Sequence, residues 1–171
     1  MSPTRPIVTR SWRRVKPFEE DPELRVFDRA EIAKIVGIPV TRVKDWSIGR
    51  PLDIKPSIRV SRRRGSPNFY SESDILRFAL AKQLSTDGLT SIMIQRALDK
   101  WPKKGIPTLL CIAGDGDTTV RFSQADVPLF DWAVTLMPEQ ESVLGHYFLN
   151  LQELFKRVKE QIEKAIWARK N

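Results

Sequence analysis

The sequence predicts a mainly α protein with small β-hairpins and a long C-terminal helix. Three observations carry this. Helix-start residues recur at Asp28, Ser71 and Thr90, each followed by apolar residues at helical spacing. Two strand-like stretches, Ser57 to Tyr70 and Pro107 to Phe122, are each interrupted by a glycine-containing turn cluster. Beyond Pro138, apolar residues return at alternating spacings of four and three.

At 171 residues the chain is long enough to bury a core without help from metals or disulfides. Its 29 Lys and Arg outweigh 21 Asp and Glu, a net charge of +8. A polyanion is the partner such a balance favours, because neutralising phosphates releases condensed counterions. A solvated basic face gives the same total, so the placement of the charge decides. The single cysteine, Cys111, lies in the apolar run Thr108 to Ala113 and has no second thiol to bridge, which makes it an expected buried strand residue. The single histidine, His146, is far from it in sequence, and the two fall short of a zinc site; neither metal nor cofactor is expected. No apolar run approaches the roughly 20 residues of a membrane span. The N-terminus alternates Arg, Pro and Trp where a signal peptide has an apolar core, so a soluble, cytoplasmic protein is expected.

Residues 1–24 read as a basic arm: Arg5, Arg10, Arg13, Arg14 and Lys16 appear without an acid until Glu19, Glu20 and Asp21 reverse the charge. A frayed terminus without a role is the alternative. Residues 25–101 form the first expected domain. Asp28 and Glu31 have capping-box spacing, Ile32, Ala33, Ile35 and Val36 form the apolar side, and Gly37-Ile38-Pro39 stops the helix. A second short helix is expected over Val40 to Ser47, with Val40, Val43 and Trp46 inward and Thr41, Arg42, Lys44 and Asp45 outward or at the rim. Ser57 to Ser61 alternates as a strand, Arg62, Arg63, Arg64 and Gly65 turn, and Asn68 to Tyr70 return. Three adjacent guanidinium groups at a hairpin tip repel one another, and phosphates would neutralise them. Ser71 and Asp74 start a helix carrying Ile75, Leu76, Phe78, Ala79, Leu80 and Leu84, which ends at Asp87-Gly88. Thr90 opens another, with Ile94, Ala97, Leu98 and Trp101 on one face and Pro102 closing it.

Two short helices joined by a glycine turn and followed by a hairpin make a winged helix-turn-helix, whose second helix is narrow enough for a DNA major groove. The stretch from Phe27 to Leu98 resembles the DNA-binding domain of MerR-type regulators. The resemblance rests on a helix with Ala33 and Gly37, a recognition helix ending in Trp46, a wing, Tyr70-Ser71-Glu72-Ser73-Asp74 entering a helix, and Asp87-Gly88-Leu89-Thr90 with Ile94 after it. The chain departs from the family at Lys44, Asp45 and Trp46, where arginine and an aromatic pair are usual, and at Asn68, where arginine is common in the wing. The resemblance implies that Arg42 and Lys44 meet the major groove, that Arg62, Arg63 and Arg64 grip backbone or minor groove, and that a dimer reads a palindrome. Thr41 and Arg59 complete the expected DNA-binding set, and Trp46 is expected in the core.

Residues 102–137 form a connector in which Pro107 to Ala113 and Thr119 to Phe122 flank the turn Gly114-Asp115-Gly116-Asp117. Two carboxylates fall well short of the six to eight oxygens of a calcium site. Residues 138–171 are expected as one amphipathic helix, with Leu144, Phe148, Leu151, Phe155, Val158, Ile162 and Ala165 as a heptad seam and outer pairs Glu153 to Arg157 and Glu160 to Lys164. Two partners suit that seam: a second copy, with Leu144, Phe148, Leu151, Phe155, Val158 and Ile162 as the interface of a coiled-coil homodimer, or the chain's own domain. No nucleophile, base and orienting group assemble with specificity, so no enzymatic activity is expected. The function expected is sequence-specific binding of double-stranded DNA by a homodimeric transcriptional regulator. A non-catalytic DNA-handling or assembly protein of phage or plasmid type is the alternative, and RNA is a third possible partner.

Overall fold

The computed structural model describes residues 25–59, 68–102, 105–113, 119–123 and 146–170. Helix α1 (Arg29–Val36) begins as its capping box dictates. The Asp28 carboxylate accepts from the amides of Ala30 and Glu31 at 2.8 and 3.0 Å, and Glu31 takes the Asp28 amide at 2.9 Å. It ends at Gly37, whose φ of 70° is the left-handed geometry that favours glycine. A β-carbon there would also meet the Lys82 ammonium at 3.2 Å, and that ammonium donates to the Val36 carbonyl at 2.8 Å. After the turn comes α2 (Val40–Ser47), then a two-stranded antiparallel pair, β1 (Ile58–Arg59) and β2 (Asn68–Phe69), in register Ile58 with Phe69 and Arg59 with Asn68. Helix α3 (Glu72–Thr86) starts at the Ser71 and Asp74 capping box, and α4 (Ser91–Asp99) at Thr90.

The second half contributes β3 (Leu109–Ala113), β4 (Thr119–Ser123), β5 (His146–Asn150) and α5 (Leu151–Lys170). The strands form an antiparallel sheet in the order β4-β3-β5, so β3 is central, with Leu109 opposite both Ser123 and Asn150. Leu110, Cys111 and Ile112 are buried. The chain passes from β5 directly into α5, and the Leu151 amide donates to the Thr108 carbonyl at 2.8 Å.

The expected C-terminal helix therefore starts later than its apolar spacing suggests. Residues 138–145 lie outside the described set, 146–150 are strand, and the helix begins at Leu151. Phe148 sits on β5, paired with Cys111, so it cannot be a rung of a helical seam, and Leu144 falls outside the described residues. The remaining seam residues face inward. Leu151, Phe155, Val158 and Ile162, with Leu154 and Ile166, are buried in the chain's own core, where α5 packs on α1, α3 and β3. Each such side chain withdrawn from water contributes roughly 1.5–3 kcal/mol, and having done so within the chain it is not available to a second copy. The own-domain partner is the one realised.

One contiguous core runs through both halves, from Phe27 and Ile32 to Ile162 and Ile166. Trp101 lies just beyond the end of α4 and not within it. There it makes edge contacts with Phe122 of β4 and Phe155 of α5, each at 5.8 Å between ring centroids. The Tyr147 hydroxyl donates to the Asp87 carboxylate, tying β5 to the end of α3. Burial first, and that hydrogen bond second, hold the Tyr147 phenol protonated above the ordinary tyrosine range.

Candidate nucleic-acid interface

Helix α2 has one anchored side and one open side. Val43, Trp46 and Ser47 are buried, while Thr41, Arg42, Lys44 and Asp45 are exposed. Val40, expected inward, is 48% exposed. Pro39 begins the helix just before it, and the buried arc is narrow enough to be filled by Val43, Trp46 and the small Ser47, which leaves Val40 at its edge. Trp46 is a core residue as expected, stacked on Phe78 at 6.1 Å between centroids and 14° between planes.

Ser47 is polar and buried, and its partners explain it. Its hydroxyl donates to the Val43 carbonyl at 2.6 Å, which uses its one proton, so it accepts from the Tyr70 hydroxyl at 2.8 Å. Tyr70 also pairs its backbone with Phe27 in both directions, at 2.9 and 3.0 Å, and meets the Phe78 ring edge-on at 5.8 Å. One tyrosine thus fixes the exit of the β1–β2 pair, the start of the domain and the back of α2 together.

The base of the β-pair is held by a second buried polar group. The Asp74 carboxylate, 2% exposed, accepts from the Ser57 amide at 3.0 Å, the Ser57 hydroxyl at 2.6 Å and the Ser71 amide at 2.9 Å. Sequence reasoning assigned Asp74 to the start of α3 alone. Its reach to Ser57 depends on tertiary placement, and no local signal encodes it. Between α2 and β1, Leu52, Ile54 and Pro56 are buried, with the Ile54 amide on the Trp46 carbonyl at 2.8 Å, so α2 and the β-pair rest on one base.

Of the expected DNA-binding residues, Thr41, Arg42 and Lys44 therefore share the open face of α2. The Arg42 guanidinium lies over the Trp46 ring, 5.9 Å from its centroid, which steers it along the helix edge. Arg59 is on β1 opposite Asn68, and Arg62, Arg63 and Arg64 lie outside the described residues, as do residues 1–24 of the expected arm.

A second set of contacts, separated by up to 143 residues, ties α5 to the helix-turn-helix. Arg169, its side chain 8% exposed, donates to Glu31 at 2.8 Å and to the Val26 carbonyl at 2.9 Å, and its guanidinium stands 4.8 Å from the Phe27 ring centroid. Arg25 bridges Glu72 at 2.9 Å and Glu163 at 2.6 Å, and those two bonds, Glu163 first, raise its affinity for its proton.

Among the described residues no group of three or more His, Cys, Asp or Glu is placed to hold a metal ion, and no helix is long and apolar enough to cross a membrane. A helix-turn-helix whose second helix presents exposed cationic side chains, with an antiparallel β-pair braced against it, defines a winged helix-turn-helix of the DNA-binding class. Residues 29–101 match the family model described as MerR HTH family regulatory protein, so this part of the chain is similar to a MerR-type helix-turn-helix domain, a likeness that supports DNA binding and transcription regulation. The matched segment covers under half of the 171 residues. No curated protein matches the chain closely enough to serve as a relative.

Proposed function

We propose that the protein is a non-catalytic, sequence-specific transcriptional regulator that binds double-stranded DNA, with the open face of α2 in the major groove. The observation that carries this reading is the division of α2. Val43, Trp46 and Ser47 lock one side into the core, while Thr41, Arg42 and Lys44 stand exposed on the other. A rigid back is what base readout requires, since a contact worth ~1–3 kcal/mol of discrimination demands a fixed position. Arg59, Arg62, Arg63 and Arg64 supply phosphate contacts that set register without reading sequence. The protein acts in the cytoplasm on DNA, as a homodimer in keeping with its family resemblance. Because the expected seam is buried within the chain, pairing uses surface outside Leu151, Phe155, Val158 and Ile162.

The test is enrichment of random duplex DNA on the purified protein at about 150 mM salt, where non-specific phosphate binding is already weakened. An inverted repeat supports a regulator acting as a dimer, and a single short motif supports base reading by a monomer. Retention without any motif overturns sequence-specific reading and leaves a non-specific DNA-handling protein. Lys44→Ala should relax preference at one position, whereas Arg63→Ala should weaken all sequences alike and lower the salt slope by about 1.

A further inference from the structure

Asp45 is out of place by every local rule. It lies in the last turn of α2 (Val40–Ser47), where a negative charge opposes the helix dipole, and aspartate is a poor helix former. Its backbone carbonyl accepts from the amides of Ile48 and Arg50 at 3.1 and 2.9 Å, but among the described residues no hydrogen bond or ion pair reaches its carboxylate. It is exposed on the same open face as Thr41, one helical turn earlier, and beside Lys44. A lone acid there weakens every encounter of a +8 chain with a polyanion.

We infer that Asp45 reads the exocyclic amino group of a cytosine, making it a specificity-determining residue of the DNA interface. This rests on the reading of α2 as the base-contacting helix. In the major groove, guanine shows two acceptors and thymine an acceptor and a methyl group, so both repel a carboxylate or leave it unpaired. Adenine offers an amino donor beside the N7 acceptor, which opposes the second carboxylate oxygen. Cytosine offers the donor at N4 with no acceptor on its groove edge, and it alone pairs with a carboxylate without penalty. Lys44 carries the opposite code, a donor for guanine O6 and N7. Asp45 therefore lowers affinity for DNA in general and restores it at one base pair, which is how discrimination is built from a repulsive element.

The test compares wild type, Asp45→Ala and Asp45→Asn by random-duplex enrichment, followed by affinity measurements on the selected site, on its single-position variants and on random DNA. Both substitutions lie on an exposed face, and thermal melting checks that the fold is kept. Wild type should show a C·G position at which any other pair costs about tenfold. Asp45→Ala should flatten that position alone and bind random DNA about threefold more tightly, the effect of removing one charge from the neighbourhood of several screened phosphates. Asp45→Asn should move the preference there to A·T, since an amide pairs with adenine N6 and N7. Unchanged weights at every position in Asp45→Ala, or no gain on random DNA, overturn the assignment while leaving sequence reading intact. A wild type that selects no motif overturns both.

Discussion

Replacing Arg169 by methionine removes the one cation that α5 buries against the helix-turn-helix while keeping most of its aliphatic bulk. Three losses follow. Glu31 keeps its bond to the Asp28 amide at 2.9 Å but loses its partner at 2.8 Å, the Val26 carbonyl loses a donor at 2.9 Å, and the Phe27 ring loses a guanidinium at 4.8 Å. Removing one partner of a buried pair costs about 3–5 kcal/mol, because the other charge stays behind desolvated. Glu31 retains 21% exposure and water reaches it in part, so the lower end, about 3 kcal/mol, is expected. For a chain of this size that lowers the melting temperature by about 10 °C. Urea denaturation of Arg169→Met, Glu31→Gln and the double variant gives the coupling directly, and the double variant should recover at least about 1 kcal/mol relative to additivity. A single-variant loss below about 1 kcal/mol, or strict additivity, would refute the view that this pair fastens α5 to α1.

Three further outcomes are expected. Asp74→Ala removes the one carboxylate oxygen on which the Ser57 amide, the Ser57 hydroxyl and the Ser71 amide converge, so it should cost about 2 kcal/mol in denaturation and weaken DNA binding alike on all sequences, by loosening the β-pair while leaving α2 in place. Ile162→Ala, at a fully buried site, should cost about 2–5 kcal/mol at every protein concentration; a concentration-dependent loss would point to a seam between chains. Tyr147 keeps its proton in the folded state to higher pH than in the unfolded chain, where its value is near 10.0. The folded form thus binds more protons above that pH, stability falls as pH rises through and beyond it, and Tyr147→Phe should show a shallower alkaline decline in melting temperature.

Elements whose ends are written locally were legible. Asp28 with Glu31, Ser71 with Asp74, Thr90 and Gly37 each act within four residues of their own position, and each marks the boundary its chemistry requires. The buried face of α2 was misread at both ends. Hydrophobic spacing favours Val40 and ignores Ser47, yet Ser47 is inside because Val43 and Tyr70 satisfy its hydroxyl. The C-terminal seam misled for a different reason. Phe148 and Leu151 continue a four-three spacing across what is in fact a strand-to-helix junction, and a short apolar run carries no periodicity of its own to mark the change. What identifies β5 is its pairing along β3, a contact between distant segments. Thr41, Arg42 and Lys44, the residues expected to meet DNA, were placed outward because a short helix with one buried side leaves few outward positions, and they stand exposed. Asp74 and Arg169 were missed as braces because their partners lie 17 and 138 residues away.

The burial of α5 changes what the C-terminal half does for the DNA-binding half. A coiled coil that merely joined two reading heads would leave each head complete on its own. Here α5 packs on α1, α3 and β3, and its Ile162 and Ile166 belong to the same core as Ile32 and Val43. Arg25 and Arg169 add ionic ties from Glu163 to Glu72 and from the end of α5 to the capping residue of α1. Glu31 accordingly performs two tasks at once: one oxygen closes the α1 capping box and the other anchors α5. Since α1 packs directly on α2, a displacement of α5 is transmitted through close-packed side chains to the back of the helix that carries Thr41, Arg42 and Lys44. The three-stranded sheet is thus coupled mechanically to the exposed face of α2, through a core and not through a linker.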